Sequence, residues 1–206
     1  MLIRLYHVKI FFTYKYDTQY SLNSVIAKVR DRYVAEMETN TDPKLLPALK
    51  LIKNWNLSAD SSNTAAALAI IVLPNAFNED KLKYKTDKIT QKLHETIDYL
   101  ETKFGKIDVP LGKVLRLVRG ETNLPLSGGP GLLRAIYFKK KDDLYIGTAG
   151  DCYFQAVEWG PNGELNAWTI HQFGSATTIE SSKHYDDQAK LFSKHKMKQV
   201  RGLNKD

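Results

Sequence analysis

Cysteine is nearly absent from this sequence: Cys152 is the only one in 206 residues. An intrachain disulfide is therefore excluded, and so is a zinc knuckle of the CxxC kind. In the strand-like stretch CYFQAVEW, Cys152 reads as a small buried hydrophobe rather than a reactive thiol. No apolar run reaches the roughly 18 residues that a spanning helix needs, so no membrane partner is expected. The opening MLIRLYHVKIFFTYKY lacks both a clean apolar stretch and a small-residue cleavage site, and is not read as an export signal. Histidine is also scarce. His7, His94, His171, His184 and His195 include no pair at HExxH spacing. A metal site needs several such ligands converging, so neither metal nor other cofactor is expected.

What is present describes a globular chain. Apolar residues make up 43% and charged residues 26%, outside the range of disordered sequences. The length fits one domain over residues 1–206, or a large piece of one. Thirty Lys and Arg against 23 Asp and Glu give a net charge of +7, which raises the question of a polyanionic partner. The basic residues are scattered through KLKYKTDK (81–88), KKK (139–141) and the tail from Lys190, without one stripe. They read as solvated surface, and no nucleic-acid partner is expected.

The chain divides by period. Residues 20–104 read as helical. Leu22, Val25, Ile26, Val29, Tyr33 and Met37 fall on one helical face. NTDPKLLPALKLIKNW predicts a second helix, with Asp42 as N-cap and Pro43 at its first position, although Pro47 counts against so early a start. SADSSNTAAALAIIVLP predicts a third, capped by Asp60, Ser61 or Ser62 and disturbed at its end by Pro74. Leu82, Ile89, Leu93, Leu100 and Phe104 predict a long amphipathic helix stopped by Gly105.

Residues 110–200 read mainly as antiparallel strands: 113–120, 132–138, 152–159 and 165–173, with GPNGE as a hairpin turn between the last two. Both faces of CYFQAVEW carry apolar groups, which predicts a strand covered on both sides. A short helix is expected near 184–193. Helices first and strands second make the fold class α+β.

Three stretches invite a catalytic reading. SSKHYDDQ holds Ser182, His184 and Asp186 within five residues, but such close neighbours point in different directions and cannot form a relay. Ser182 as a helix cap and Asp186 in the first helical turn explain them better. His184 and Asp187 have the spacing to share one face of a turn. LSGGPGLLRA carries Gly128, Gly129 and Gly131 but lacks the GK[ST] ending of a phosphate cradle, and reads as a tight structural loop. DSSNTA places a serine before an asparagine, which reads as a helix start. From the residues themselves no catalytic, cofactor-binding or metal-binding residue is assigned.

FGKIDVPLGKVLRLVRGETNLPLSGGPGLLRA, then GDCYFQAVEW, then HQFGSATTIESSKHYDDQAKLFSKHKM resemble the end of the large chain of penicillin-acylase-type enzymes, a family that includes penicillin, aculeacin and acyl-homoserine-lactone acylases. PALKLIKNWNLSADSSNTAAALA fits as well. The resemblance runs from about Tyr20 to Val200. It is carried by Gly105, Pro110, Gly112, Arg116, Arg119-Gly120, Gly128-Gly129, Gly150-Asp151, Gly174, His184-Tyr185 and Asp187-Gln188 in order.

The resemblance implies an N-terminal nucleophile hydrolase with a four-layer αββα core, of which this chain is one part. It implies amide hydrolysis through an acyl-enzyme, formed on a serine exposed by precursor cleavage and helped by its own α-amino group. Neither that serine nor the family's oxyanion asparagine maps onto a residue here. The expected partner is accordingly the upstream part of the acylase: the small chain and the first part of the large chain. The acyl-amide substrate belongs to the complete enzyme, and the chain alone is expected to be inactive. Relatives are mostly exported, often to the periplasm. The alternative is a non-catalytic binding module built on the same scaffold.

Overall fold

The structure, a computed structural model, describes residues 14–73, 85–150, 153–176 and 178–201. Helices come first and strands second, an α+β fold. Pro74, Leu82, Cys152 and His7 lie outside the described residues.

A 3-10 turn at Tyr16–Thr18 precedes α1 (Val25–Glu36). Ser24 caps α1: its Oγ accepts from the Ala27 amide at 3.4 Å. Ile26, Ala27, Val29 and Tyr33 point into the core, as their spacing predicts. Leu22 does not join them. It sits ahead of the helix and is 77% exposed.

Helix α2 spans Leu46–Lys53, three residues later than a start with Asp42 as cap and Pro43 at the first position predicts. The reason is Pro47. In a helix begun at Pro43, residue 47 would lie past the first turn, where its missing N–H and its ring disrupt the ladder. Begun at Leu46, the helix holds Pro47 in its first turn, where no intrahelical bond is lost. Asp42 instead closes a local turn, its Oδ1 accepting from the Lys44 amide at 2.9 Å.

Helix α3 (Ala66–Val72) is capped by neither Asp60, Ser61 nor Ser62. Asn63 Oδ1 accepts from the amides of Ala65 and Ala66, both at 3.0 Å. Helix α4 (Thr86–Phe104) buries Ile89, Leu93, Thr96, Ile97 and Leu100 and packs on α3. Each large aliphatic side chain so buried contributes about 1.5–3 kcal/mol. Gly105 ends α4 at φ 72°, its amide donating to Glu101 O at 2.8 Å, a left-handed position that glycine takes without steric cost.

A single turn, α5 (Leu111–Val114), leads into β1 (Leu115–Arg119), where the sequence predicts strand from 113. One sheet has the order β2-β1-β4-β3, with β2 at Thr122–Pro125, β3 at Ile136–Lys141 and β4 at Leu144–Gly150. The strands are not all antiparallel as expected: β1 and β4 run parallel, with Leu115 opposite Tyr145 and Arg116 opposite Ile146. Residues 132–135, expected to be strand, are loop. The Arg134 amide donates to Asp17 O at 2.9 Å and is not free for a ladder.

The other sheet is antiparallel, in the order β5-β6-β7, with β5 at Tyr153–Trp159, β6 at Leu165–His171 and β7 at Lys198–Gln199. The GPNGE hairpin forms as expected, the Gly160 amide donating to Glu164 O at 2.8 Å. Strand β5 is not covered on both faces. Phe154 is buried, but Tyr153 is 47% and Trp159 73% exposed. The last helix, α6, is only Ala189–Ser193. Residues 184–188, expected to be helical, form turns whose backbone bonds go elsewhere: Gln188 N to Phe173 O at 2.6 Å, and Ala176 N to His184 O at 3.0 Å.

Candidate functional site

Polar side chains sent into a core need partners, because an unpaired buried charge costs several kcal/mol. Four such side chains come together between the two ends of the described chain. Asp17 in the 3-10 turn is fully buried, and Asp60, Arg134 and His195 are 6%, 2% and 7% exposed. Arg134 Nε donates to Asp17 Oδ2 at 2.5 Å, and Arg134 Nη1 donates to Phe192 O at 3.3 Å. The guanidinium also lies over the rings of Phe192 and Phe154, 4.4 and 5.2 Å from their centroids. Its planar fork and weak hydration suit a buried place of this kind better than an ammonium would.

His195 approaches from the end of α6. Its Nδ1 is 3.2 Å from Asp17 Oδ1. Its Nε2 has no hydrogen-bond partner and faces Asp60 Oδ2 at 3.8 Å. Asp60 is held in turn by Lys15 Nζ at 2.6 Å, by Ser62 Oγ at 2.5 Å and by the Ser62 amide at 2.9 Å. Ser127 Oγ lies 3.5 Å from Asp60 Oδ2 and accepts from the Ser61 amide at 2.8 Å.

The carboxyls respond accordingly. Burial pushes Asp60 up, but hydrogen bonds from Lys15 and Ser62 outweigh it and bring its pKa to about 2. Burial also pushes Asp17 up. The His195 hydrogen bond and the charges of Arg134 and His195 overcome this, leaving Asp17 below the ordinary carboxylate value. Burial pulls Arg134 down, opposed by Asp17. Both acids are thus held as carboxylates, locked in ion pairs.

Of the stretches with a catalytic look, DSSNTA and the glycine loop meet, the Ser61 amide donating to Ser127 Oγ at 2.8 Å, whereas SSKHYDDQ is held against β1 and β2. Ser182 Oγ accepts from the His184 amide at 3.2 Å and caps no helix. His184 Nδ1 meets Asp187 Oδ2 at 2.9 Å, as their spacing allows. Asp186 Oδ2 accepts from Thr122 Oγ1. Arg119 lies between the rings of Tyr185 and Phe173, 4.4 and 4.8 Å from their centroids. The segment therefore fastens α6 to both sheets. In the glycine loop, the Gly128 amide donates to Ala59 O at 2.8 Å and the Gly129 amide to Arg134 O at 3.3 Å. Those donors are spent on the protein and present nothing to a phosphate. A Cβ on Gly129 would lie 2.5 Å from Tyr20 Oη.

Among the described residues, no group of three or more His, Cys, Asp or Glu side chains is arranged to hold a metal ion. No described helix is long and apolar enough to cross a membrane. Of the buried four, the sequence points to Asp60 as a possible cap and to His195 as one of the scattered histidines, and no motif marks Asp17 or Arg134. The one local signal for either is that Arg134 is the lone charged residue in the otherwise apolar run 132–138; Asp17 has no comparable setting.

Comparison with known proteins returns one family. The model described as Penicillin amidase matches residues 13–205. No curated protein matches the chain.

Proposed function

The chain belongs to the penicillin amidase family, and from that premise we propose that it serves as the scaffold segment of an amidohydrolase that cleaves acyl amide C–N bonds through an acyl-enzyme. Its reacting serine and oxyanion donors are carried by a separate, upstream segment. The helices and strands described here support that segment and, by themselves, do not hydrolyse amides.

One observation carries this reading. Serine nucleophiles need a base within hydrogen-bond reach. Here three of the four described imidazoles are turned to carboxylates, His195 to Asp17 and Asp60, His184 to Asp187, and His94 Nε2 to Asp42 Oδ2 at 3.6 Å, and the fourth, His171, lies against the Tyr153 ring at 4.9 Å between centroids. Ser62 and Ser127 face Asp60 in the same way, and Ser193 Oγ donates to Pro125 O at 2.6 Å. These are the contacts of a framework. The exposed Tyr153 and Trp159 on β5 add an apolar face of the kind an adjoining segment covers.

The test is recovery of the protein from its source cells at native mass, with hydrolysis of N-acyl aryl amides assayed across the fractions. Activity is expected only where a second, serine-starting chain elutes with this one. Hydrolysis by the 23.5 kDa chain alone, with the acyl group trapped on one of its own residues, would overturn the proposal.

A further inference from the structure

Four non-glycine residues among those described have a left-handed backbone: Lys15, Leu57, Asp142 and His195, with φ between 53° and 63°. Side chains disfavour this region, so a residue held there must be compensated by what surrounds it. Asp142 sits in the turn between β3 and β4. Lys15 and His195 stand at opposite ends of the described chain, yet both side chains converge on one atom, Asp60 Oδ2, at 2.6 and 3.8 Å.

The backbone around His195 makes the point sharper. Its amide donates to Phe192 O at 3.1 Å, and the Lys196 amide donates to Leu191 O at 2.9 Å. That is the pair of bonds closing a helix with a left-handed residue just past its cap, a position that glycine usually fills. Histidine there gives up backbone ease and reaches Asp17 and Asp60 with its ring. Lys15 does likewise ahead of the 3-10 turn, whose Thr18 amide returns to Lys15 O at 3.0 Å.

We propose that Asp60 is the common catch of a two-ended latch. Its carboxylate holds two strained turns, one at Lys15 and one at His195, so that the first described turn and the α6–β7 segment stay docked together and are released together. The groups facing Asp60 are Lys15, Ser62, Ser127 and His195, with Asp17 and Arg134 behind the imidazole. Loss of charge at Asp60 removes the ion pair of the Lys15 turn, which keeps the bonds from the Thr18 amide and Thr18 Oγ1 to Lys15 O. It also weakens the compensation of the His195 turn, which keeps its bond to Asp17. The latch is independent of the hydrolase reading, and its test reads no activity.

The experiment is hydrogen exchange of the full chain and its variants. Asp60→Asn is expected to lower amide protection about tenfold in both 15–20 and 188–200, while Thr86–Phe104 is unchanged. Opening of one end alone, or an even loss everywhere, would overturn the proposal. Glycine variants supply a second criterion that does not depend on how stable Asp60→Asn is. Lys15→Gly relieves strain and removes the catch at once. In the parent chain it is expected to lower protection at both ends. In the Asp60→Asn background only the strain relief remains, so the same change is expected to raise protection. The loss caused by His195→Gly is expected to shrink about threefold in that background. Should Asp60→Asn not fold, the double Lys15→Gly/His195→Gly variant decides: a loss differing from the product of the single losses supports the latch, and a loss equal to that product overturns it.

Discussion

Arg134 Nε and Asp17 Oδ2 meet at 2.5 Å across 117 residues of chain, with side-chain exposures of 2% and 0%. The pair pins the loop before β3 to the first described turn. Removing one partner leaves the other charged and out of water, at a cost of about 3–5 kcal/mol. Asp17→Leu and Arg134→Met are each expected to lose that much in urea unfolding. The double variant Asp17→Leu/Arg134→Met is expected to lose less than the sum of the two singles, because neither charge remains to be stranded.

Acid is expected to weaken the fold in a defined window. Asp60 and Asp17 both titrate lower in the folded chain than free carboxyls, Asp60 at about 2. A depressed folded value means that the unfolded chain binds the proton first. The stability they contribute is therefore complete above the unfolded value of about 3.9 and is lost as pH falls toward about 2. Urea midpoints measured from neutral pH downward are expected to drop within that interval, and to drop less steeply in Asp60→Asn.

Gly112 offers a test of packing. Alanine normally improves a helix by up to about 1 kcal/mol over glycine. In α5, however, a Cβ at residue 112 would lie 2.8 Å from both Pro125 Cβ and Ser61 Cβ. Gly112→Ala is expected to destabilise by about 1–3 kcal/mol, the usual cost of overpacking. Thermal unfolding followed by circular dichroism gives the sign directly.

Arg119 holds the 182–188 segment to β1 through Tyr185 and Phe173. Lysine keeps the charge but not the plane that stacks between two rings. Arg119→Lys is expected to cost about 0.5–2 kcal/mol and to speed proteolysis within 181–188. The near-ultraviolet dichroism from Tyr185 is expected to weaken.

Much of this molecule is legible in local pattern. Helix α4 announces itself through Ile89, Leu93 and Leu100 and stops at Gly105, because a helix buries one face and glycine accepts the left-handed turn that ends it. The β5–β6 hairpin follows from GPNGE. The strip from FGKIDVPLG to the final HKM carries the family. Strands β2 and β4 were not legible. TNLP is short and ends in proline, and LYIGTAG has no strict alternation; each is a strand because β1 and β3 supply its partners.

The amino-acid sequence by itself determined the α+β order, the main helices and the membership of the family, since those rest on residue spacing and on an ordered set of motifs. Tertiary structure alone decided that Asp17, Asp60, Arg134 and His195 are one cluster, and that the Ser182, His184 and Asp186 neighbours are not. The physical reason is range. Spacing along a helix or strand reports neighbours a few residues away, whereas a buried charge is satisfied by whichever opposite charge the folded chain brings within about 4 Å, here across as many as 178 residues.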